Sequence, residues 1–366
     1  MMIKVVETNR DLNNFVFFIK NLYKNDLHYI FPIFSVLKKV LFSLVLKTKQ
    51  YKAILSVREN RVVGRLLYTI EFNKKKNRLI CYFSAFDAIN DPVVAKELFN
   101  YMETDVIKQN VMYCEGTYSP YDPDTRRGIM VEGFDDDPAI LTSYNAPYYS
   151  NLIESCGYYK AYDTFGLKAD INTQVQKRLV TIETYFSNHY NVRIDQINLK
   201  QLDYDILDIH EVLLTATTEI NYQDAPSIEM IKQVAESLRL LINPKLIRIA
   251  RENETNKPVG FCLVFPDFNQ ILKKTKGRIR PLYILLNLKK ITRVRGTMQY
   301  VIPKYQNTGL IGFMYKKVYD HFESMGINEF EGGTVMEENE KALHAFDKFG
   351  GRIAKTYRIY GKELQS

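Results

Sequence analysis

The chain has no tryptophan, only four cysteines, and few glycines and prolines: 17 and 12 in 366 residues. So little glycine and proline excludes a collagen-like or linker-rich protein. Cys81, Cys114, Cys156 and Cys262 lie far apart with no CxxC pair. That spacing excludes a zinc knuckle and suits a reduced interior better than a disulfide scaffold. No apolar run approaches the roughly 18 residues of a membrane span. The longest, Phe31 to Leu46, is interrupted by Lys38 and Lys39. Charged residues at 25% and hydrophobic residues at 46% exclude wholesale disorder. Met1 to Glu7 reads as a strand start rather than a signal peptide. Together these absences predict a cytoplasmic protein.

What is present is length and positive charge. The chain is longer than one typical domain of about 100–200 residues. Lys+Arg 50 against Asp+Glu 42 leaves +8, and the pI is near 9.0. Such a balance favours anionic partners: phosphates, nucleotides or an acidic membrane. Nucleic acid is not expected, because no zinc-finger, RRM or basic helix-turn-helix pattern accompanies the charge.

Hydrophobic patterning predicts a mixed α/β chain in which one order of elements occurs twice. Strands at 4–8, 52–58, 62–71 and 79–85, a helix opened by Pro92, and strands at 111–115 and 158–167 form the first set. Strands at 192–197, 246–251, 259–265, 292–302, 328–336 and 352–361, with helices at 309–325 and 340–349, form the second. The expectation is two copies of one fold, residues 1–170 and 171–366.

The strongest chemical signal is the run Met298 to Gly312. A strand ends at Val301-Ile302, Pro303 stops regular pairing, and a polar turn with Gly309 opens an amphipathic helix. Amides at such a helix start are unpaired and can cradle a pyrophosphate, with Lys304 beside them. A second strand ends at Glu337-Glu338-Asn339, followed by a short helix with a glycine stop at Gly350-Gly351.

These two features resemble the acyl-CoA signature of the GNAT acyltransferase superfamily. There, Val-x-Pro is followed by a Gln/Arg-x-x-Gly-x-Gly/Ala loop, matched here by Gln306-Asn307-Thr308-Gly309-Leu310-Ile311. Ile311 departs from the pattern, with Gly312 one place later. Asn339 and Ala342 match the superfamily's strand–Asn–x–x–Ala helix. Phe346 stands where many members carry a tyrosine that protonates the departing thiolate. Over most of its length the chain also resembles the YghO-like bacterial proteins. The resemblance is densest at Gly64-Arg65, at Gly116 to Pro120, at Gly133-Phe134-Asp135 and at Tyr144 to Tyr149. It also covers Gly157 to Ala161 and Tyr357-Arg358-Ile359-Tyr360.

The resemblance implies a tandem GNAT-like fold, a mixed α/β sheet, and transfer of an acyl group from acetyl-CoA or a longer acyl-CoA, without a metal. The acceptor would be an amine, small or lipid, sphingoid bases among them, attacking directly in a ternary complex. Implied CoA contacts are Val301, Ile302, Lys304, Gln306, Asn307, Thr308, Gly309, Leu310, Ile311, Gly312 and Asn339, with backbone N–H groups near Val301 and Ile302 polarising the thioester. Candidate bases are Glu331, Glu337 and Glu338, Glu337 being preferred. Candidate acids are Tyr300, Tyr305, His344, Tyr357 and Tyr360.

Tyr118, Asp122, Asp124, Tyr144, Asn145 and Tyr148 are candidates for the acceptor wall. Residues 85–92 lack the glycine loop, so the first half is expected to be structural or acceptor-recognising. The apolar stretch Phe31–Leu46, with Lys38, Lys39, Lys47, Lys49 and Lys52, fits either a membrane-surface helix or a buried helix with a solvated edge. The basic run Lys273–Arg280, with Lys289, Lys290 and Arg293, fits either CoA phosphates or solvent. An inactive acyl-CoA-binding protein is the competing reading, supported by Phe346. A nucleic-acid-binding protein rests on net charge alone.

Overall fold

The computed structural model describes residues 2–118, 127–216, 226–239 and 242–365. Its first half runs β1 (Met2–Val5), α1 (Asn9–Leu22), α2 (Phe34–Leu41, continued by a π-helical turn Phe42–Lys47), β2 (Lys52–Arg58), β3 (Arg61–Asn73), β4 (Arg78–Ala88), α3 (Pro92–Ile107), β5 (Tyr113–Gly116), β6 (Ile129–Glu132), α4 (Tyr149–Glu154) and β7 (Tyr159–Asp170). The second half runs α5 (Thr173–His189), β8 (Val192–Gln196), α6 (Leu202–Ala216), α7 (Ile228–Leu238), β9 (Ile247–Glu252), β10 (Pro258–Pro266), α8 (Asn269–Leu272), α9 (Pro281–Asn287), β11 (Arg293–Val301), α10 (Leu310–Tyr319), α11 (Phe322–Met325), β12 (Glu329–Met336), α12 (Glu340–Asp347) and β13 (Arg352–Glu363).

Local chemistry explains the boundaries. Thr8 caps α1: its hydroxyl accepts from the Asp11 N–H and donates to the Asp11 carboxylate. Glu59 and Asn60 both adopt positive φ, 49° and 61°, and close the β2–β3 hairpin. Asp91 caps α3 and Pro92 occupies its first turn.

Thirteen strands form one sheet, ordered β1-β2-β3-β4-β5-β13-β7-β12-β11-β10-β9-β8, with β6 added beside β13. The order reads alike from both ends. β4–β5 and β11–β12 are the parallel pairs, each joined through helices. At the centre, β7 pairs with β12 of the second half, while β13 pairs with β5 of the first. Each half therefore completes its sheet with the other's final strand.

Two hydrophobic clusters flank this seam. One is built from α1, β2–β4, α3 and α4, and takes in Tyr360 and Leu364 from the chain's far end. The other is built from β9–β11, α6 and α10, and takes in Ile140 and Leu141 from the first half. No helix among the described residues is long and apolar enough to cross a membrane. Within the apolar stretch at 31–46, Phe34, Leu41 and Val45 are buried and pack in the first cluster.

Candidate functional site

The parallel ladder between β11 and β12 runs from Arg293↔Glu329 to Gly296↔Gly332 and then stops. Beyond it, β11 stays with β10 and β12 stays with β7, so the strands open as a fork. A bulge at Thr297 marks the opening: Val264 faces Gly296 while Leu263 already faces Met298.

The two faces of the fork differ because strand side chains alternate. On one face, glycine leaves room for rings. A Cβ at Gly296 would lie 2.7 Å from the Phe330 ring and 2.9 Å from the Tyr315 hydroxyl. A Cβ at Gly332 would lie 2.6 Å from the Phe346 ring. Tyr315 meets Phe330 edge-on at 5.4 Å and bonds the Gln299 side chain. Desolvation pushes the Tyr315 hydroxyl pKa well up, so it keeps its proton at neutral pH. Tyr315 was absent from the acids read from sequence; only the helix packing brings it to the fork.

The other face is polar and sealed. Arg295 and Glu331 are 0% and 1% exposed, and Arg295 Nη1 lies 3.0 Å from Glu331 Oε1. Arg293 and Lys355 stand 3.9 Å from Glu331 Oε2. A strap at 133–142 covers this face. Its Asp136 pairs with Lys168 and lies 3.4 Å from both Lys355 and Arg293. Burial tends to raise the Asp136 pKa, but Lys168, Lys355 and Arg293 together bring it down to about 2. Several buried atoms here form no hydrogen bond: Glu331 Oε2, Arg295 Nε, Thr164 Oγ1 and Thr334 Oγ1. Burial pushes the Tyr357 hydroxyl up, with the Glu331 carboxylate adding to it.

At the mouth of the fork, the Ile302 N–H donates to Val259 O at 3.0 Å. Ladder alternation then turns the N–H groups of Gln299 and Val301 the other way, toward the opening. Ile302, expected to share the thioester oxygen with Val301, is thus occupied. Pro303, the turn at Asn307 (φ 60°) and Gly309 (φ 95°) lead into α10. Thr308 closes the turn on Tyr305 O at 2.6 Å, and Gln306 Nε2 reaches Val301 O at 3.5 Å.

Gly309 offers no side chain to cap α10. The amides of Leu310, Ile311 and Gly312 therefore lack an intrahelical acceptor. The equivalent helix of the first half, α3, is closed: Asp91 Oδ1 accepts from the Val93 N–H and Pro92 has none to offer. β4 and β5 likewise part after Phe83↔Gly116, and that fork is filled, since Tyr148 and Tyr149 bond the carbonyl and the N–H of Ala88.

Several expected roles meet a different geometry. Lys304 bonds Glu252 at 2.7 Å and lies over the Tyr305 ring, and this pairing pulls the Glu252 carboxyl down to about 2. Gly312 makes room for α5, because a Cβ there would lie 2.9 Å from Ile182. Asn339 caps α12 through the Ala342 N–H. Glu337 is engaged at both oxygens, by Lys160 at 2.6 Å and the Asp163 N–H at 2.9 Å. Arg293 is buried against Asp267, away from any phosphate role.

The acceptor wall is likewise bonded internally. Tyr118 bonds Glu115 and Tyr162, Tyr144 bonds Asp26, and Asn145 is held by the backbone of Met130 and Ala146. Asp122 and Asp124 lie outside the described residues. A cavity of about 970 Å³ at the outer edge of the second half, lined by Arg193, Asp208, Arg251 and His321, includes none of the candidate residues. Among the described residues, no cluster of three or more His, Cys, Asp or Glu side chains is placed to hold a metal.

No protein-family model matches the chain. Two curated proteins are similar over nearly their whole lengths. "Bacterial ceramide synthase" of Caulobacter vibrioides is 26% identical, covering 98% of this chain and 96% of its own. "Protein YghO" of Escherichia coli is 22% identical, covering 99% and 95%. Among solved structures, a tandem GNAT protein from the clavulanic acid biosynthesis pathway superposes with a TM-score of 0.57 at 11% identity, covering 100% of this chain and 99% of that one. A GCN5-related N-acetyltransferase from Sphaerobacter thermophilus gives 0.55 at 11%, covering 100% and 96%. The fold is that of the GNAT superfamily: a mixed α/β sheet flanked by helices.

Proposed function

We propose that the protein is an N-acyltransferase that takes its acyl group from acyl-CoA in the second half. The contrast between the two equivalent helices carries this reading. α10 opens on uncapped amides beside a forked sheet, whereas α3 is capped and its fork is filled. The pyrophosphate of CoA would sit on the amides of Leu310, Ile311 and Gly312. The thioester would enter the fork, its oxygen facing the N–H of Val301 or Gln299. Residues 1–170 would serve as the structural or acceptor-recognising half and 171–366 as the acyl-CoA half.

In the reaction the amine nitrogen attacks the thioester carbon, so a C–N bond forms and the C–S bond breaks. One amine proton leaves to a carboxylate, and the thiolate takes up a proton to depart as CoA thiol. Glu331 is the better placed base: both oxygens of Glu337 are held, whereas Oε2 of Glu331 accepts no hydrogen bond and meets Arg293 and Lys355 only at 3.9 Å, and the amine would reach it through the fork because the strap seals the other approach. Phe346 cannot supply the thiolate's proton; the Tyr315 hydroxyl, on the same face, can.

Similarity to a ceramide synthase along the whole chain supports a long-chain amine acceptor, a ceramide being the amide of a sphingoid base. Such an acceptor fits a cytoplasmic protein working at the inner membrane face. The competing reading, an acyl-CoA-binding protein without turnover, is favoured by Phe346.

Ile311 is 39% exposed at the open helix start, so Ile311→Glu places a carboxylate there without disturbing the core. Calorimetry with acetyl-CoA and palmitoyl-CoA should show binding to the wild type and its loss in this variant. Failure of both to bind the folded wild type sinks the proposal, and binding without turnover on any amine selects the competing reading.

A further inference from the structure

Residues 273–290 contain seven Lys or Arg and no Asp or Glu. Within this segment α9 is apolar on both sides. Tyr283 and Ile284 pack on the second hydrophobic cluster. Leu282, Leu285 and Leu286, spaced i, i+3, i+4, share the other side, and are 69%, 66% and 71% exposed. Ile279 and Leu288 are exposed beside them. Single exposed apolar residues are ordinary, but five within ten positions make a contiguous patch.

Six of the seven cations around the patch pair with no carboxylate among the described residues. Lys273 is held by Asp137. Lys274, Lys276, Arg278, Arg280, Lys289 and Lys290 are the six, and all are exposed. The segment also docks onto the first half. Gly277 O accepts from the Phe34 N–H at the start of α2, and a Cβ at Gly277 would collide with the Phe34 ring. The Phe34 ring in turn meets that of Phe17 at 5.0 Å. Phe17 and Val36 are exposed there too, so apolar surface continues across the seam.

We propose that this face, α9 with the start of α2, seats on an anionic lipid bilayer. The leucines would enter the headgroup–acyl boundary and the surrounding cations would meet lipid phosphates. Charge complementarity selects this occupant. A second copy docked on the same patch would bring two unpaired basic rims together, which repel. α9 is far too short to span a bilayer, so the contact is superficial. This inference rests on the surface alone and stands whether or not the fork transfers acyl groups.

The test is co-sedimentation with phosphatidylcholine vesicles and with vesicles that also contain phosphatidylglycerol. Two variants are compared with the wild type: Leu282→Ser/Leu285→Ser/Leu286→Ser and Lys289→Glu/Lys290→Glu. All these side chains are exposed, and circular dichroism melting checks the fold. The wild type should pellet with the anionic vesicles, and added salt should weaken the binding. Each variant should bind at least about tenfold more weakly. The proposal falls if the wild type stays in the supernatant, or if the leucine variant binds as well as the wild type. It also falls if the wild type is a dimer that the leucine variant converts to monomer.

Discussion

Arg295 and Glu331 face each other at the last but one rung of the β11–β12 ladder, immediately before the strands part. Only one oxygen of Glu331 is bonded by Arg295; the other is sealed from water and accepts no hydrogen bond, with the cations of Arg293 and Lys355 3.9 Å away. A buried polar atom left this way costs free energy until a donor reaches it. An incoming amine is such a donor, and the position lies one residue from the fork.

Glu331→Gln is therefore expected to lower kcat by about 10²–10⁴-fold, with acyl-CoA affinity unchanged by calorimetry. Leaving Arg295 with a neutral partner should also cost about 3–5 kcal/mol in denaturant unfolding. Glu337→Gln removes a partly exposed ion pair and should cost under about 1 kcal/mol, with turnover retained. Equal loss of turnover in both variants would reject the assignment.

Tyr315→Phe keeps the ring against Phe330 and deletes the hydroxyl over Gly296. If that hydroxyl returns the proton to the thiolate, kcat should fall about a hundredfold, while acyl-CoA binding stays at the wild-type level. Unchanged kcat in stopped-flow thiol release would remove Tyr315 from the mechanism.

Gly332→Ala forces a methyl group into the Phe346 ring, 2.6 Å away before relaxation. Overpacking of this kind costs about 1–3 kcal/mol, read as a lower Tm. The companion Phe346→Leu in the same chain should recover part of that loss.

Asp136 carries a pH signature. Its pKa of about 2 lies below the ordinary 3.8, so its ion pairs stabilise the fold above that ordinary value. That contribution is lost as pH falls through 3.8 toward 2. The full shift corresponds to about 2.5 kcal/mol. The side chain is 47% exposed, and solvent screening reduces this to about 1 kcal/mol. Asp136→Asn should lower the urea midpoint at neutral pH and converge with the wild type near the acid limit. A constant difference across the range would contradict the pairing.

The fold class was legible in the sequence because alternation in the strands and the spacing of Val94, Leu98, Met102 and Val106 in α3 are local patterns. The glycine turn before α10 was legible for the same reason. The strand exchange was not, since nothing local tells β13 to pair with β5 rather than stay within its own half. Tyr144, Asn145 and Tyr148 looked free for a ligand because Asp26, Met130 and Ala88, which hold them, are distant or polar only through their backbone. Tyr315 and Arg295 were missed because register and helix packing, not neighbouring residues, bring them to the fork.

The position of β13 has a consequence for synthesis. β5 emerges from the ribosome more than two hundred residues before the strand that covers its edge, Tyr113–Gly116 against Tyr360–Glu363. The first half therefore waits, with one sheet edge open, until β13 has been made. Until then the β5 edge presents unpaired backbone groups, a template for wrong pairing in any chain halted before β13.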